Sequence, residues 1–369
     1  MHSLLPVLVT AAIAASALTA TVSAGVRATA SPDLRVSQSA QCRGAESIER
    51  TTLQMGTLLR IRISDVDRGC GTEAIEAAIA EVERLEGVLS SWVAESEIGR
   101  LNAAQPGAQV ELTAELYDLL AEAGIWVEET GRAFDPAVGA LIDTWELRGQ
   151  GRVPSAADLA RARAASGWSR VTLEEGNRVT RGPSGWWLDT GGFGKGAALR
   201  AAARVLASRG VVFGVLDFGG QLLVLGEAEA GVAHPSKRDR EVVRLKVAGS
   251  SVATTSSSER FVSVKGRRLG HVLDPRRGEP VPAWGSVTVV MQDALSADAL
   301  STALFVMGAD AALEWAAQRQ DVGVLVLRLD GGSVSAGCNA SMATLISSVS
   351  AEVGHARCEF TMINPEQGN

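Results

Sequence analysis

The chain has 369 residues, 46% hydrophobic and 21% charged, with a formal net charge of -7 and a pI near 5.3. That is an ordinary globular balance, able to fill the core of one large domain or two average ones. The acidic balance and the lack of any polybasic run exclude nucleic acid as the main partner and an anionic membrane surface as the main anchor.

In chain order, Leu4–Val22 is an Ala/Leu/Val/Thr run that ends in Val22-Ser23-Ala24, a small-residue cleavage pattern. Residues 1–24 therefore read as a secretory signal peptide, although the n-region offers only His2. A single membrane anchor of minimum spanning length is the competing reading, and the many small residues disfavour it. Gln41 ahead of Cys42 removes a lipid-attachment pattern. The protein is thus expected to be exported, either periplasmic or inner-membrane-associated and facing the periplasm. Residues 25–45 read as a flexible mature N-terminus, 46–350 as one continuous catalytic domain and 351–369 as a C-terminal tail. Cys42, Cys70, Cys338 and Cys358 suit an oxidising compartment and form no C-x-x-C pair. Three connectivities are possible, and nearness in sequence favours Cys42 with Cys70 and Cys338 with Cys358.

Alternation predicts an opening strand over Glu49–Ser64. Thr72–Trp92 carries Ile75, Ala78, Ile79, Val82, Leu85 and Leu89 at the spacing of one buried helical face. Further helices are predicted over Thr113–Thr130, over Pro136–Leu147 with Pro136 at N1, and over Ser155–Ala165. A hairpin about Gly176-Asn177 follows, then a strand at Trp186–Asp189, a glycine-rich turn and a helix to Ser208. Val211–Leu225 reads as a strand pair about Gly219-Gly220, with strands next at Glu241–Thr254, Arg260–Val264 and Ser286–Met291. An apolar helical run over Ala303–Ala317 precedes terminal strands at Gly323–Leu329 and Ser341–Ile346. Runs of strands interrupted by a few packed helices argue an α+β fold.

The most informative segment is Ala297-Asp298-Ala299-Leu300-Ser301-Thr302-Ala303. At helical spacing Asp298 and Thr302 stack one turn apart, a carboxylate and a hydroxyl suited to Mg²⁺. The simpler alternative is that Asp298 caps the helix and Thr302 bonds back to a carbonyl. Gly191-Gly192-Phe193-Gly194-Lys195-Gly196 lies between strand and helix, where backbone N–H groups can approach an anion. It matches neither a Walker loop nor G-x-G-x-x-G. His271 sits in the polar cluster Gly270–Gly278. Asp135 stands where a helix N-cap is the default role, and Trp92 is either core or a stacking surface for a planar ring.

Together and in this order, these segments resemble the ApbE family of flavin transferases. The matching pieces are Ser91–Asn102, then Phe134, Asp135, Pro136, Val138, Gly139, Leu141 and Trp145, then Asp189–Gly196. A Gly-Gly strand kink, the His271–Gly278 run and Ala297–Gly308 complete the order, so that the resemblance covers roughly Glu49 to Leu329. It implies catalytic roles for Asp298, Thr302, His271 and Lys195. It also implies a Mg²⁺ site from Asp298, Thr302 and a carbonyl near Gly192, with Ser301 assisting. FAD contacts are implied at Trp92, Ala133, Phe134, Asp135, Asp189, Lys195, His271 and Val272. The implied reaction moves FMN from FAD to a Thr/Ser hydroxyl of an exported acceptor protein and releases AMP. The chain has no Ser/Thr-Gly-Ala-Ser/Thr acceptor motif of its own, so a partner is expected to carry it. A non-catalytic FAD-binding scaffold and a FAD pyrophosphatase giving FMN and AMP are the alternatives. The departures bear on acceptor handling and flavin fit. Trp92 replaces a tyrosine, Ala253–Ser258 lacks the family's Gly-Asp-Tyr, Phe193-Gly194 replaces Ile-Ala, Arg200 replaces an acid and Arg277 a threonine.

Overall fold

The computed structural model describes residues 42–256, 261–264 and 266–358, all within one compact unit. The expected signal peptide and most of the expected N-terminal segment lie outside the described residues, as do Ser257 and Ser258. Among the described residues nine strands form the central sheet, in the spatial order Arg43–Gln54, Thr57–Val66, Phe213–Phe218, Gln221–Leu225, Ser251–Ser256, Gly285–Met291, Gly323–Asp330, Ser333–Cys338 and Val353–Arg357. All neighbours are antiparallel except the last pair. Helices α1 (Arg68–Leu89), α2 (Glu97–Ala103), α3 (Ala114–Glu129), α4 (Gly139–Trp145), α5 (Ala156–Ala165), α6 (Gly194–Ser208), α7 (Ala294–Met307) and α8 (Ala309–Ala317) complete an α+β architecture.

The middle of the sheet is buried on both faces, so its strands carry small or apolar residues on both sides and no charged ones in Ser251–Ser256 and Gly285–Met291. In Gly285–Met291, Val287 and Val289 join the core beneath the helices, whereas Val290 joins a core on the opposite face. Val324 and Val326 alternate with Leu325 and Leu327 in the same way. That opposite face is covered by a three-stranded sheet of Ile346–Val349, Lys237–Ala248 and Glu227–His234. Helix α7, apolar almost all round, is buried between the main sheet and α3 and α6.

Several predicted elements shift. Glu49–Ser64 is not one strand but the inner part of a hairpin that turns at Met55 (φ 45°) and Gly56 (φ 73°), so Leu53 pairs with Leu58. The helix predicted from Pro136 starts at Gly139, because Pro136 lies in a loop whose carbonyl accepts the Asp189 N–H at 2.7 Å. Trp186–Asp189 is extended but joins no sheet. Instead the Asn102 side chain imitates a neighbouring strand, accepting the Leu188 N–H at 2.8 Å and donating to the Leu188 carbonyl at 3.0 Å. The run to Ala317 breaks at Gly308, where φ is 87°. Ser341–Ile346 is not a strand; Asn339 caps a short helix over Ala340–Ala343, and the strand begins at Ile346.

The expected domain edges at 46 and 350 lie inside the folded body. The first strand begins at Arg43 and the last ends at Arg357, and each is fastened by a disulfide, Cys42–Cys70 and Cys338–Cys358. No described cysteine is free, and no helix among the described residues is long and apolar enough to cross a membrane. Closing loops of this size removes unfolded-state entropy worth about 2–4 kcal/mol per bridge. Cys42→Ser with Cys70→Ser is therefore expected to lower the melting temperature by several degrees. Thiol titration of the untreated protein should find no reactive group until a reductant is added.

Candidate functional site

The site is built where two helix starts meet. Gly196, in the first turn of α6, packs so tightly on the start of α7 that a Cβ there would lie 2.1 Å from the Ala294 carbonyl oxygen. This closeness brings Asp298 to the N-terminus of α6. The buried Asp298 carboxylate accepts the Gly196 N–H at 3.1 Å and pairs with Lys195 Nζ at 3.2 and 3.4 Å. The anion expected at this glycine-rich helix start is thus supplied by the protein itself, where the helix dipole and a free N–H favour it. Asp298 does not cap its own helix: α7 starts at Ala294, and Asp293 is the N-cap, accepting the Ser296 N–H at 2.8 Å. A capping role for Asp298 is ruled out by that boundary.

Thr302, one turn further on, faces the loop. Its Oγ1 lies 3.6 Å from where a Gly192 Cβ would stand, and the Phe134 ring lies 3.1 Å from the same point. Gly192 is therefore a close-approach glycine between Thr302 and Phe134. Ser301 is engaged within the fold. It is 1% exposed, and its hydroxyl donates to the Asp298 carbonyl at 3.0 Å and shares a 2.8 Å hydrogen bond with Thr255. These bonds tie α7 to the sheet. No three His, Cys, Asp or Glu side chains converge on a metal-sized site among the described residues. One carboxylate with a hydroxyl and a carbonyl still fits Mg²⁺, which keeps several waters and takes its remaining ligands from phosphate.

Asp135 proves to be a brace. It is 6% exposed, and its two oxygens accept the N–H groups of Ala137 and Trp168, both at 2.8 Å. Burial pushes its carboxyl above the usual range, against the pull of those two donors. Ala133 and Phe134 are buried in the same core, with Phe134 edge-on to Phe193, so their side chains support the site from beneath. His271 is half-buried on the border of two cores. Val272 packs in the main core with Phe134, while Leu269 and Leu273 pack with α4, α5 and Trp187. The following turn is held by Asp274, which takes a fork of hydrogen bonds from Arg276, and by Trp145 Nε1, which donates to the Gly278 carbonyl at 2.8 Å. Ser256 donates to the Pro235 carbonyl at 3.2 Å.

The other end of the loop opens on a cleft of about 430 Å³, lined among others by Ser91, Trp92, Asp143, Arg148 and Trp187. Asp189, at the mouth of the glycine loop, accepts from Arg148 at 2.7 Å and from Ser91 at 3.1 Å. Trp92 lies in the turn beyond α1 and is 69% exposed, so it is a surface and not core. Sequence reasoning missed Arg148, Trp187 and Met55, and it marked Arg200 only as a departure from the family pattern. Arg200 bridges Glu122 of α3 at 2.6 Å and the α7 N-cap Asp293 at 3.1 Å, which locks the three helices that carry the site. Met55 turns over the start of α6 in a left-handed backbone conformation, the one local signal being the Gly56 beside it.

The ApbE family model matches residues 55–326. A FAD:protein FMN transferase of Treponema pallidum is 29% identical over 283 residues, spanning 70% of this chain and 78% of the relative. One from Klebsiella pneumoniae is 28% identical over 274 residues, spanning 73% and 85%. Among solved structures, the ApbE protein of Thermotoga maritima superposes with a TM-score of 0.75 at 29% identity, covering 82% of this chain and all of that one. The apo flavinyl transferase ApbE of Pseudomonas stutzeri shares the fold, with a TM-score of 0.72 at 23% identity over 83% of this chain and 98% of that one.

The helix junction can be tested by adding one carbon. Gly196→Ala should force α6 and α7 apart and lower stability by about 1–3 kcal/mol. Gly87→Ala, on the exposed face of α1 with open space around it, should instead be neutral or stabilising by up to about 1 kcal/mol. Urea titration of the two variants reads the difference.

Proposed function

Because this chain belongs to the ApbE family, we propose that it is a FAD:protein FMN transferase that uses Mg²⁺ and acts on an exported acceptor protein. The observation that carries the reading is the convergence of Asp298, Lys195, the Gly196 N–H and Thr302 at the junction of two helix starts. Positioning and charge neutralisation are what phosphoryl transfer chiefly needs. Mg²⁺ bound by Asp298, Thr302 and the Gly192 loop would supply a hard Lewis acid at the pyrophosphate. Lys195, paired with Asp298 at 3.2 Å, would add a second positive charge there. A Thr or Ser hydroxyl of the acceptor attacks the FMN phosphorus. The new P–O bond forms as the bond to AMP breaks, and AMP leaves with the electron pair. The hydroxyl proton passes to a base, a role assigned here to the His271 imidazole.

The flavin ring occupies the aromatic cleft, with Trp92 as its stacking surface and Asp189 as an acceptor at its edge. The acceptor protein carries a Ser/Thr-Gly-Ala-Ser/Thr-type motif. Two local disulfides are consistent with a folded domain outside the cytoplasm, either periplasmic or held at the inner membrane, after loss of residues 1–24.

Asp298→Ala removes the anionic ligand from the interior of a helix in which Ala is well tolerated. Near-complete loss of flavin transfer is expected, with only partial rescue at high Mg²⁺ and a protein that still folds but melts at a lower temperature, because Lys195 loses its partner. In-gel flavin fluorescence of an acceptor peptide beside a thermal melt measures both, and a folded variant with full transfer activity would refute the metal site. A wild-type protein that yields only FMN and AMP would make it a pyrophosphatase, and one that binds FAD without turnover a scaffold.

Trp92→Ala should weaken FAD binding about tenfold or more, since stacking contributes on the order of 1 kcal/mol beyond area burial. Unchanged affinity in a fluorescence titration would remove Trp92 from the ring site.

A further inference from the structure

Helix α4 ends at Glu146 in the left-handed conformation, which turns the chain back and delivers Arg148 to the cleft. There its guanidinium lies 4.0 Å from the centre of the Trp92 ring and 4.5 Å from that of Trp187. It is pinned in its own plane as well. Nη2 donates to Asp189 Oδ1 and to Ser91 Oγ, both at 2.7 Å, and Nη1 donates to the Ser91 carbonyl at 3.1 Å. The inner wall of this sandwich is fixed. Trp187 Nε1 donates to Asp143 at 2.8 Å, and its ring lies over Gly139, where a Cβ would come within 2.1 Å of the indole. The outer wall, Trp92, is 69% exposed.

An indole has two faces for stacking, and here one is already covered. Uncovering it would break an ion pair, two further hydrogen bonds and two cation–π contacts at once, in a planar fork that no water molecule replaces. We propose that Arg148 is a positioning residue that decides which face of Trp92 receives the flavin ring. The guanidinium stays clamped, and the ring stacks on the outer face, giving the order Trp187, Arg148, Trp92, flavin. This rests on the reading of the cleft as the flavin-ring site. Two consequences follow from the chemistry. Trp92 is held rigid from behind, so less rotamer freedom is lost when a ring lands on it. The cation also draws π-electron density towards the inner face, which makes Trp92 a weaker electron donor to the electron-poor flavin.

The experiment titrates the full-length protein and its Arg148→Met and Arg148→Lys variants with riboflavin, FAD and ADP. Riboflavin carries the ring without a pyrophosphate and cannot be turned over; ADP carries the pyrophosphate without the ring. For Arg148→Met we expect riboflavin and FAD affinity to fall about five- to tenfold, with ADP affinity unchanged. The long-wavelength absorption of bound flavin should move to lower energy, because the indole becomes a better donor. Arg148→Lys keeps the charge but loses the fork, and should lie between the two in both readouts. A rise in flavin affinity on losing the guanidinium would overturn the proposal by placing the ring on the inner face. Wild-type affinity with an unchanged spectrum would overturn it as well. So would a parallel loss of ADP affinity, which would mean that Arg148 merely supports the site. If Arg148→Met does not fold, the spectrum of Arg148→Lys decides. A wild-type protein that binds ADP but neither flavin would instead overturn the reading of the cleft.

Discussion

The contact on which the rest depends is the seat of the Asp298 carboxylate at the N-terminus of α6. A buried carboxylate is costly unless it is paired and hydrogen-bonded. Here Lys195 supplies the charge and Gly196 the N–H. The lysine would be unfavourable in the first turn of a helix, where the dipole is positive, and Asp298 offsets it. Neither side chain is well placed without the other, and both need the absence of a Cβ at Gly196. The same arrangement leaves a cationic and an anionic group side by side against a glycine loop.

Holding that junction together is the work of the surrounding scaffold. Arg200 joins α3, α6 and the cap of α7. Thr255 and Ser301 fasten α7 to the central strand of the sheet. The Arg200 guanidinium is matched by the carboxylates of Glu122 and Asp293, so the charge is paired. The two disulfides sit at the two outer strands of the sheet, where an unfastened edge would fray most readily.

The loop Asp189–Lys195 links two chemically different regions. One end carries charge and small residues close to a helix start, suited to phosphate. The other carries Trp92, Trp187 and Arg148 in an open cleft, suited to a planar ring. An ion pair between Arg148 and Asp189 joins the second region to the first. A dinucleotide with a flavin at one end has that same division of polarity along its length.

Much of the fold was legible in the chain, because burial imposes a period on it. α1, α3 and α6 show apolar residues at helical spacing, and the first five residues of Gly323–Asp330 are a continuous apolar run because both of its faces are covered. Asp298 and Thr302 could be paired in advance, since one turn of helix is a local property. The Met55-Gly56 hairpin was not legible, because its turn lacks the usual Asn-Gly or Asp-Gly pair. Nor was the extended Trp186–Asp189 segment, whose strand-like partner is the side chain of Asn102. The family resemblance placed Asp135 and Ser301 among the ligand contacts; only their neighbours in space show the hydrogen bonds that their oxygens make within the fold. Sequence by itself determined which groups were available and which faces of the elements had to be buried, since those follow from side-chain chemistry and local periodicity. Tertiary structure alone decided that Lys195 meets Asp298 across 103 residues, and that Arg148 covers one face of Trp92. Such pairings depend on how close two backbones can approach, and no local pattern encodes that distance.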